Sequence, residues 1–154
     1  MPIYFLDSSA VVKRYVNEVG SDWITNLTDP TSANSIHIVR ITGAEVVSGI
    51  ARRARGKSIS TIDAAAAIAL FDHHFAYGYV VAEVSPRLVS LAMKVAETYA
   101  LRGYDSVQLA AALQLNSACT AIGIVGPVLV SCDDELNAAA ISEGLMTDDP
   151  RLHP

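Results

Sequence analysis

Cysteine is scarce in this sequence of 154 residues, where Cys119 and Cys132 are the only two. Their spacing matches neither a disulfide framework nor a zinc motif, and two reduced thiols agree with a cytosolic chain. We expect both to be small side chains of the core or close to a functional site. The four histidines lack a paired spacing such as HExxH, which also argues against a zinc site.

Long apolar runs are missing too. Charged residues or Ser, Gly and Asn interrupt every apolar run well before the roughly 18 residues that a membrane span needs. The segment 1–7 has no basic region and reaches an acid after a few apolar residues, so it does not match a secretory signal. We therefore expect a cytoplasmic protein without a membrane partner. With 51% hydrophobic residues and no repeat or linker, residues 1–154 are expected to form a single domain.

Positive charge is in short supply, and the formal net charge is −5. Nucleic-acid binding is normally driven by clustered Lys and Arg, so this total argues against broad attraction to phosphate. Acids that gather to bind a metal would themselves lower the net charge, and the bound cations would reverse the local sign. The net charge therefore excludes neither a nucleic-acid enzyme nor another class.

Short apolar segments alternate with amphipathic ones along the whole chain. The apolar patterns predict strands at residues 3–6, 36–39, 79–84 and 127–131, with a possible last strand at 144–147. Helices are predicted at residues 10–16, 23–27, 42–54, 60–77, 86–101, 105–116 and 134–142. This alternation predicts an α/β fold, a mostly parallel sheet with helices on both faces, in which ligands bind outside the carboxyl ends of the strands.

Two of these helices are predicted to be buried. Segment 105–116 is apolar nearly all round, which indicates packing on several sides. The Ala-rich segment 60–77 is expected to belong to the core through one helical face, formed by Ile62, Ala65, Ala66, Ala69 and Leu70.

Four acids lie where strands end or helices begin: Asp7, Glu45, Asp105 and Asp133. Each has a structural explanation, because an acid can cap a helix and Glu45 follows Thr42 at the spacing of a capping box. Together, however, such positions converge on one edge of a parallel sheet, where carboxylates repel each other. Divalent Mg²⁺ or Mn²⁺ would compensate that charge, since these ions prefer oxygen ligands. The combination therefore predicts a metal site.

Other polar residues could assist such a site. No GxSxG elbow supports a serine nucleophile, so Ser8, Ser9 and Ser131 are expected to cap helices or to support the metal ligands. Four of the 11 basic residues fall within six positions: Arg52, Arg53, Arg55 and Lys57. They either interact with the end of their helix or contact RNA phosphates or an acidic protein partner.

The chain resembles the PIN-domain family, in particular the VapC-type toxins of toxin-antitoxin pairs. The resemblance covers nearly the full length and depends on four segments: FLDSSAVVK at 5–13, AEV at 44–46, RGYDSVQLAAA at 102–112 and LVSCDDEL at 129–136. It implies a three-layer α/β/α sandwich, Mg²⁺ or Mn²⁺, cleavage of single-stranded or looped RNA, a cognate antitoxin and a homodimer. It also implies that Asp7, Glu45 and Asp105 are site acids and that Asp133 takes the fourth position, for which Asp134 is the alternative.

The expected activity is therefore that of a metal-dependent endoribonuclease that hydrolyses phosphodiester bonds. Two other classes stay open on the sequence alone. A noncatalytic protein-binding module could use the same fold. An aspartate-based phosphotransferase or receiver would also place an acid after an early strand, although residues 7–9 lack the DxD spacing and no lysine can be assigned to the receiver role.

Overall fold

The computed structural model describes residues 1–154, which build a central sheet of five strands. The strands are β1 (Ile3–Leu6), β2 (Ser35–Val39), β3 (Val80–Ala82), β4 (Val128–Val130) and β5 (Met146–Asp148). They are arranged in the order β3-β2-β1-β4-β5, and each neighbouring pair is parallel. The predicted parallel sheet is confirmed, and β1, the first strand of the chain, lies at its centre.

Seven α-helices accompany the sheet. They are α1 (Ser8–Val11), α2 (Ser21–Leu27), α3 (Thr42–Arg55), α4 (Thr61–Tyr77), α5 (Pro86–Tyr99), α6 (Gly103–Ala121) and α7 (Asp134–Ser142). Short 3₁₀ turns occur at Val12–Arg14, Pro30–Ser32 and Pro150–Leu152. None of the helices combines the length and the apolar character that a membrane crossing requires.

Helix α6 extends beyond the predicted segment 105–116 at both ends, because no glycine or proline interrupts it before Gly123. The first predicted helix, 10–16, is instead shorter than expected. It begins at Ser8, gives way to a 3₁₀ turn after Val11, and Tyr15 lies outside both. Tyr15 packs edge-on against Phe71 of α4, with ring centroids 5.3 Å apart. The end of this helix thus depends on a tertiary contact, which the local sequence pattern could not show.

Two hydrophobic clusters cover the two faces of the sheet. Phe5 belongs to one cluster with α5, α6 and α7, whereas Leu6 belongs to the other with α1 to α4. Leu129 and Val130 of β4 divide in the same way. Successive side chains of a strand point to opposite faces, so short all-apolar strands supply both clusters at once. Helix α6 lies deep, as predicted, with seven buried residues.

The predicted face of α4 is wrong. Ile62 is 80% exposed and Leu70 is 49% exposed, and Ala65, Ala66 and Ala69 are not part of the buried core either. The helix packs instead through Ala64 and Phe71, with Ala67, Ile68 and Phe75 partly buried. In an alanine-rich helix the spacing of apolar residues marks no single face, so the large aromatic rings determine which side is buried.

The C-terminal turn is fastened to α2. Gly20, which precedes α2, has φ +87°, and a Cβ atom there would overlap the backbone carbonyl of Pro150. The ring of His153 stacks on Trp23 with centroids 4.1 Å apart, and its Nε2 lies 2.8 Å from Oδ1 of Asp148. Close backbone approach at Gly20 therefore allows the turn after β5 to dock.

Candidate active site

The predicted acids lie at the carboxyl edge of the sheet or in the helices that begin there. Asp7 directly follows β1, and its backbone N–H donates to the carbonyl of Val130 in β4 at 3.1 Å. Asp133 comes three residues after β4. Glu45 and Asp105 occupy the first turns of α3 and α6. The sheet order explains the convergence, because β1 and β4 are neighbours although they are far apart in sequence.

Asp7 is a buried carboxylate, with 3% of its surface exposed. Its Oδ1 accepts hydrogen bonds from Ser9 Oγ at 2.7 Å and from the Ala10 N–H at 3.0 Å, and its Oδ2 accepts from Ser131 Oγ at 2.7 Å. Burial raises the pKa of Asp7 to about 6, against the effect of these donors, and the charge of Glu45 adds to the increase. Asp7 therefore caps α1, one of the roles that its sequence position allows. Its negative charge is also unfavourable at the sheet edge, because the carboxylate is buried.

Glu45 does not form the capping box that its spacing with Thr42 suggests. The residue at the N-cap of α3 is Ile41, and Thr42 lies inside the helix, where its Oγ1 accepts a hydrogen bond from Gln108 Nε2 at 3.0 Å. Gln108 also donates to Glu45 Oε1 at 2.8 Å, and Ser8 Oγ donates to Oε2 at 3.2 Å. The neighbouring helices α1 and α6, and not its own helix end, orient the Glu45 carboxylate.

Asp105 is the third residue of α6, so the alternative that it caps this helix is wrong. The N-cap is Arg102, whose Nε lies 3.9 Å from Asp105 Oδ2. The half-buried Asp105 carboxylate accepts no hydrogen bond. Burial raises its pKa, as do the nearby charges of Asp133 and Glu45, while Arg102 opposes the increase. Asp105 is the least restrained of the four acids.

Asp133 and its neighbour Asp134 point in different directions. Asp133 caps α7 by accepting from the Leu136 N–H at 2.7 Å, and its own N–H donates to Ser131 Oγ at 3.0 Å. Its charge contributes to the raised pKa of Asp105. Asp134 is exposed and forms an ion pair with Arg151 at 2.5 Å. Of the two, Asp133 therefore lies with the acids at the sheet edge.

A pocket of about 430 Å³ opens beside two of these acids, Glu45 and Asp105. Its other lining residues are Ser8, Ala44, Ser48, Arg52, Arg102 and Tyr104. Asp7 and Asp133 do not line it, but Ser131 connects them to each other and the charge of Asp133 reaches Asp105. The structure thus gathers all four predicted acids and leaves two of them open to a ligand.

The four clustered basic residues do not act as a unit. Arg52 lines the acid pocket and forms no ion pair or hydrogen bond. Arg53 pairs with Glu18, with its Nε 2.8 Å from Oε1, and buried Lys13 contacts the other oxygen of that carboxylate at 3.2 Å. Arg55 and Lys57 are exposed at the end of α3. Arg53 therefore has a structural partner, whereas Arg52 is available at the site.

The donor chemistry of the site fits a hard divalent cation. Carboxylate and hydroxyl oxygens surround the sheet edge, and burial, with a smaller contribution from neighbouring carboxylates, raises the pKa of Asp7 and of Asp105. In the present conformation no three or more His, Cys, Asp or Glu side chains are placed to hold an ion together. Ligation by several of the acids thus requires side-chain rotation, for which Asp105 is free and Asp7 is restrained.

Several residues of this site were not identified from the sequence. Gln108 orients Glu45, and Arg102, Tyr104 and Ser48 line the pocket. Gln108 carried a usable signal, since it is a polar residue in an apolar helix and lies one turn after Asp105. Ser9 and Ser131 both donate to Asp7, and Cys132 lies beside them as a half-buried free thiol.

Comparisons with known proteins agree with this architecture. A family model described as PIN domain matches residues 4–142. Over the full length of both chains, the protein is 30% identical to a Mycobacterium tuberculosis protein named Ribonuclease VapC45. The crystal structure of PAE2754 from Pyrobaculum aerophilum is similar with a TM-score of 0.61 and 21% identity, covering 95% of this chain and 89% of that one.

A second similar structure is VapBC2 from Rickettsia felis, which was solved bound to a DNA fragment from its promoter. It aligns with a TM-score of 0.61 and 16% identity, over 96% of this chain and 98% of that one. At such identities the structural likeness shows the fold alone. The family match over most of the sequence and the full-length relative go further, and together they show that this chain belongs to the PIN-domain family as a VapC-type member.

Proposed function

We propose that this protein is a metal-dependent endoribonuclease and the toxin of a toxin-antitoxin pair. It hydrolyses phosphodiester bonds in RNA with Asp7, Glu45, Asp105 and Asp133 as ligands of Mg²⁺ or Mn²⁺. The observation that carries this proposal is the gathering of four acids at one sheet edge, where two of them open into a pocket that also contains arginine. The full-length relative named a ribonuclease supports the same activity.

Each acid has a role that follows from its contacts. Asp7 is held by three donors and provides a fixed ligand, and Glu45 is held by Gln108 and Ser8. A bound Mg²⁺ or Mn²⁺ ion would lower the pKa of a water molecule and offset charge on the phosphate. Asp105 accepts no hydrogen bond and lines the pocket, so its carboxylate is free to turn toward the ion or to take a proton from the attacking water. Arg52, unpaired at the pocket, attracts the RNA phosphate.

The test of this function is cleavage of a fluorescent single-stranded RNA with Mn²⁺ and with EDTA. We expect cleavage only with the metal, and recovery when excess Mn²⁺ is added back. If the protein cleaves no RNA with Mg²⁺ or with Mn²⁺ but still binds its protein partner, a noncatalytic binding module is favoured. The phosphotransferase or receiver alternative has little support, because the sheet order differs from the receiver-like order 2-1-3-4-5 and the buried Lys13 is paired with Glu18.

The partner that we propose is a small antitoxin encoded beside this protein. A Lys or Arg of the antitoxin would enter the pocket and pair with Glu45 or Asp105, which both line it. We expect expression of this protein alone to arrest growth and co-expression of the neighbouring antitoxin to restore it. Growth arrest that persists beside every adjacent small gene would contradict the pairing.

We further propose a homodimer that acts in the cytoplasm. Exposed apolar side chains on α4, namely Ile62, Leu70 and Tyr77, support a surface that is covered in an assembly. The two free cysteines are compatible with a reducing compartment.

The positions of the individual basic residues of α3 allow a more specific prediction than their clustering in the sequence. Replacing Arg52 by Gln is expected to weaken RNA binding severalfold and to reduce the salt dependence of binding by about one phosphate contact. Arg55→Gln, an exposed change on the same helix, is the matched control and should have little effect. Fluorescence anisotropy from about 50 to about 200 mM salt, a range in which phosphate contacts lose affinity steeply, measures both variants.

Arg53→Gln is expected to act differently, by lowering the melting temperature, because Glu18 loses a partner in a partly buried network. If Arg52→Gln keeps its salt dependence and loses only antitoxin affinity, Arg52 belongs to the protein interface and not to the RNA site.

A further inference from the structure

Tyr104 has an aromatic side chain that does not pack against the rest of the fold. It lies in the first turn of α6 immediately before Asp105, and it is 60% exposed. It forms no hydrogen bond and no ring contact. The other strongly exposed tyrosine, Tyr77, at least contacts the ring of His73, with centroids 5.3 Å apart. Packing therefore does not explain why an exposed aromatic ring occupies this position.

The surroundings of Tyr104 suggest a ligand. Its pocket is lined both by two acids, Glu45 and Asp105, and by two arginines, Arg52 and Arg102. The Arg102 side chain is 82% exposed, and at 3.9 Å from Asp105 its Nε is too distant for a hydrogen bond. An exposed ring beside two arginines complements a nucleotide, because the ring can stack on the base and a guanidinium can bind the phosphate.

We infer that Tyr104 is a base-binding subsite, on which the nucleobase beside the scissile phosphate stacks while Arg102 contacts a flanking phosphate. This inference rests on the proposed ribonuclease function and specifies its substrate. A base in a duplex is already stacked and paired, so it cannot lie on Tyr104 without leaving its neighbours. Stacking on Tyr104 thus gives a structural reason for the preference for single-stranded or looped RNA that the family resemblance implies.

The subsite also has a consequence for selectivity. Every base has a π-face, so stacking on a tyrosine ring adds affinity without a strong choice among the four bases. Tyr104 thus selects the conformation of the RNA at the cut and by itself discriminates little among the bases.

Tyr104→Leu tests the subsite, since leucine keeps an apolar side chain and suits a helix but removes the ring. We expect KM for a single-stranded RNA to increase about 5- to 100-fold, the range of one base–aromatic stack, with kcat changed little. Tyr104→Phe should retain nearly all affinity, because the ring remains. Met93→Ala is the control, a change at an exposed apolar side chain on α5 outside the pocket, and should leave KM unchanged.

A second measurement reports stacking directly and does not depend on turnover. RNAs with 2-aminopurine at successive positions are mixed with the protein, and the fluorescence of one position should be quenched by wild type and by Tyr104→Phe but not by Tyr104→Leu. Equal KM and equal quenching for wild type and Tyr104→Leu would overturn the subsite. So would a Tyr104→Leu protein that loses kcat and melts lower without a change in quenching, because that result makes Tyr104 structural.

The two proposals fail in distinguishable ways. If wild type cleaves no RNA with Mg²⁺ or Mn²⁺, the ribonuclease proposal is wrong, whatever Tyr104 does. If wild type cleaves RNA but Tyr104→Leu has the same KM and the same quenching, the ribonuclease proposal is retained and the base-binding subsite is wrong.

Discussion

Replacing Asp7 by asparagine will abolish metal-dependent RNA cleavage and leave the fold intact. Asparagine has the same size, and its Oδ1 can still accept from Ser9 and from the Ala10 N–H, so the cap of α1 is retained. The negative charge that a divalent cation needs is lost. We expect the rate to fall by about two orders of magnitude or more, comparable to the loss of one strong electrostatic contact in an active site.

The stability of the same variant will show that the lost charge was unfavourable in the metal-free protein. The pKa of Asp7 rises to about 6 from its ordinary value of 3.8, so the folded state binds an extra proton between these limits. The contribution of Asp7 to wild-type stability therefore falls as pH rises from about 4 to about 6, by up to about 3 kcal/mol. Asp7→Asn lacks this loss and should be equally or more stable than wild type at neutral pH without metal.

Thermal melts with titrated Mn²⁺ complete the experiment. The ion should raise the melting temperature of wild type by mass action and that of Asp7→Asn much less. Asp105→Asn should show the same contrast, because Asp105 also has a raised pKa and faces the pocket. An Asp7→Asn protein that melts far below wild type yet keeps its shift with Mn²⁺ would identify Asp7 as a structural cap and exclude it from the site.

Gly20→Ala will strongly destabilise the protein through a single added methyl group. At φ +87° a Cβ atom is strained, and this one would also overlap the carbonyl of Pro150, a backbone group that cannot rotate away. We expect a loss of about 3 kcal/mol or more, a combination of left-handed strain and overpacking. For a chain of this length, this corresponds to a melting temperature lower by about 6 to 12 °C.

Gly144→Ala is the control, because Gly144 has φ +84° but no atom within 4 Å of an added Cβ. It carries the conformational cost alone, about 1 kcal/mol. The difference between the two variants in urea unfolding isolates the contact with Pro150. Equal losses would mean that the turn Pro150–Leu152 moves aside freely and is not fastened to α2.

The sequence was most informative about acids that directly follow the strands of the parallel sheet. Acids at strand ends converge in any parallel sheet, so the neighbourhood of Asp7 and Asp133 followed from the alternation of elements alone. What the sequence could not provide was orientation. The spacing of Thr42 and Glu45 matched a capping box, but Gln108 from a distant helix takes Thr42 as its acceptor and also donates to Glu45.

The clustered basic residues show the same limit. Adjacent residues of a helix point in different directions, so Arg52 lines the pocket while Arg53 forms an ion pair with Glu18. On α4, alanines made the apolar spacing uninformative, and Phe71 decided the buried side by packing against Tyr15. These errors came from partners distant in sequence that no local pattern contains.

The hydrogen bond between Ser131 and Asp7 joins residues 124 positions apart and depends on the pairing of β1 with β4. A ribosome delivers the N-terminal end first, at about 5 to 20 residues per second. Asp7 therefore emerges roughly 6 to 25 s before the serine that orients it, and β1 waits equally long for one of its two neighbours. The carboxyl edge of the sheet is therefore completed only near the end of synthesis, and we expect the nascent chain to lack the proposed site until then.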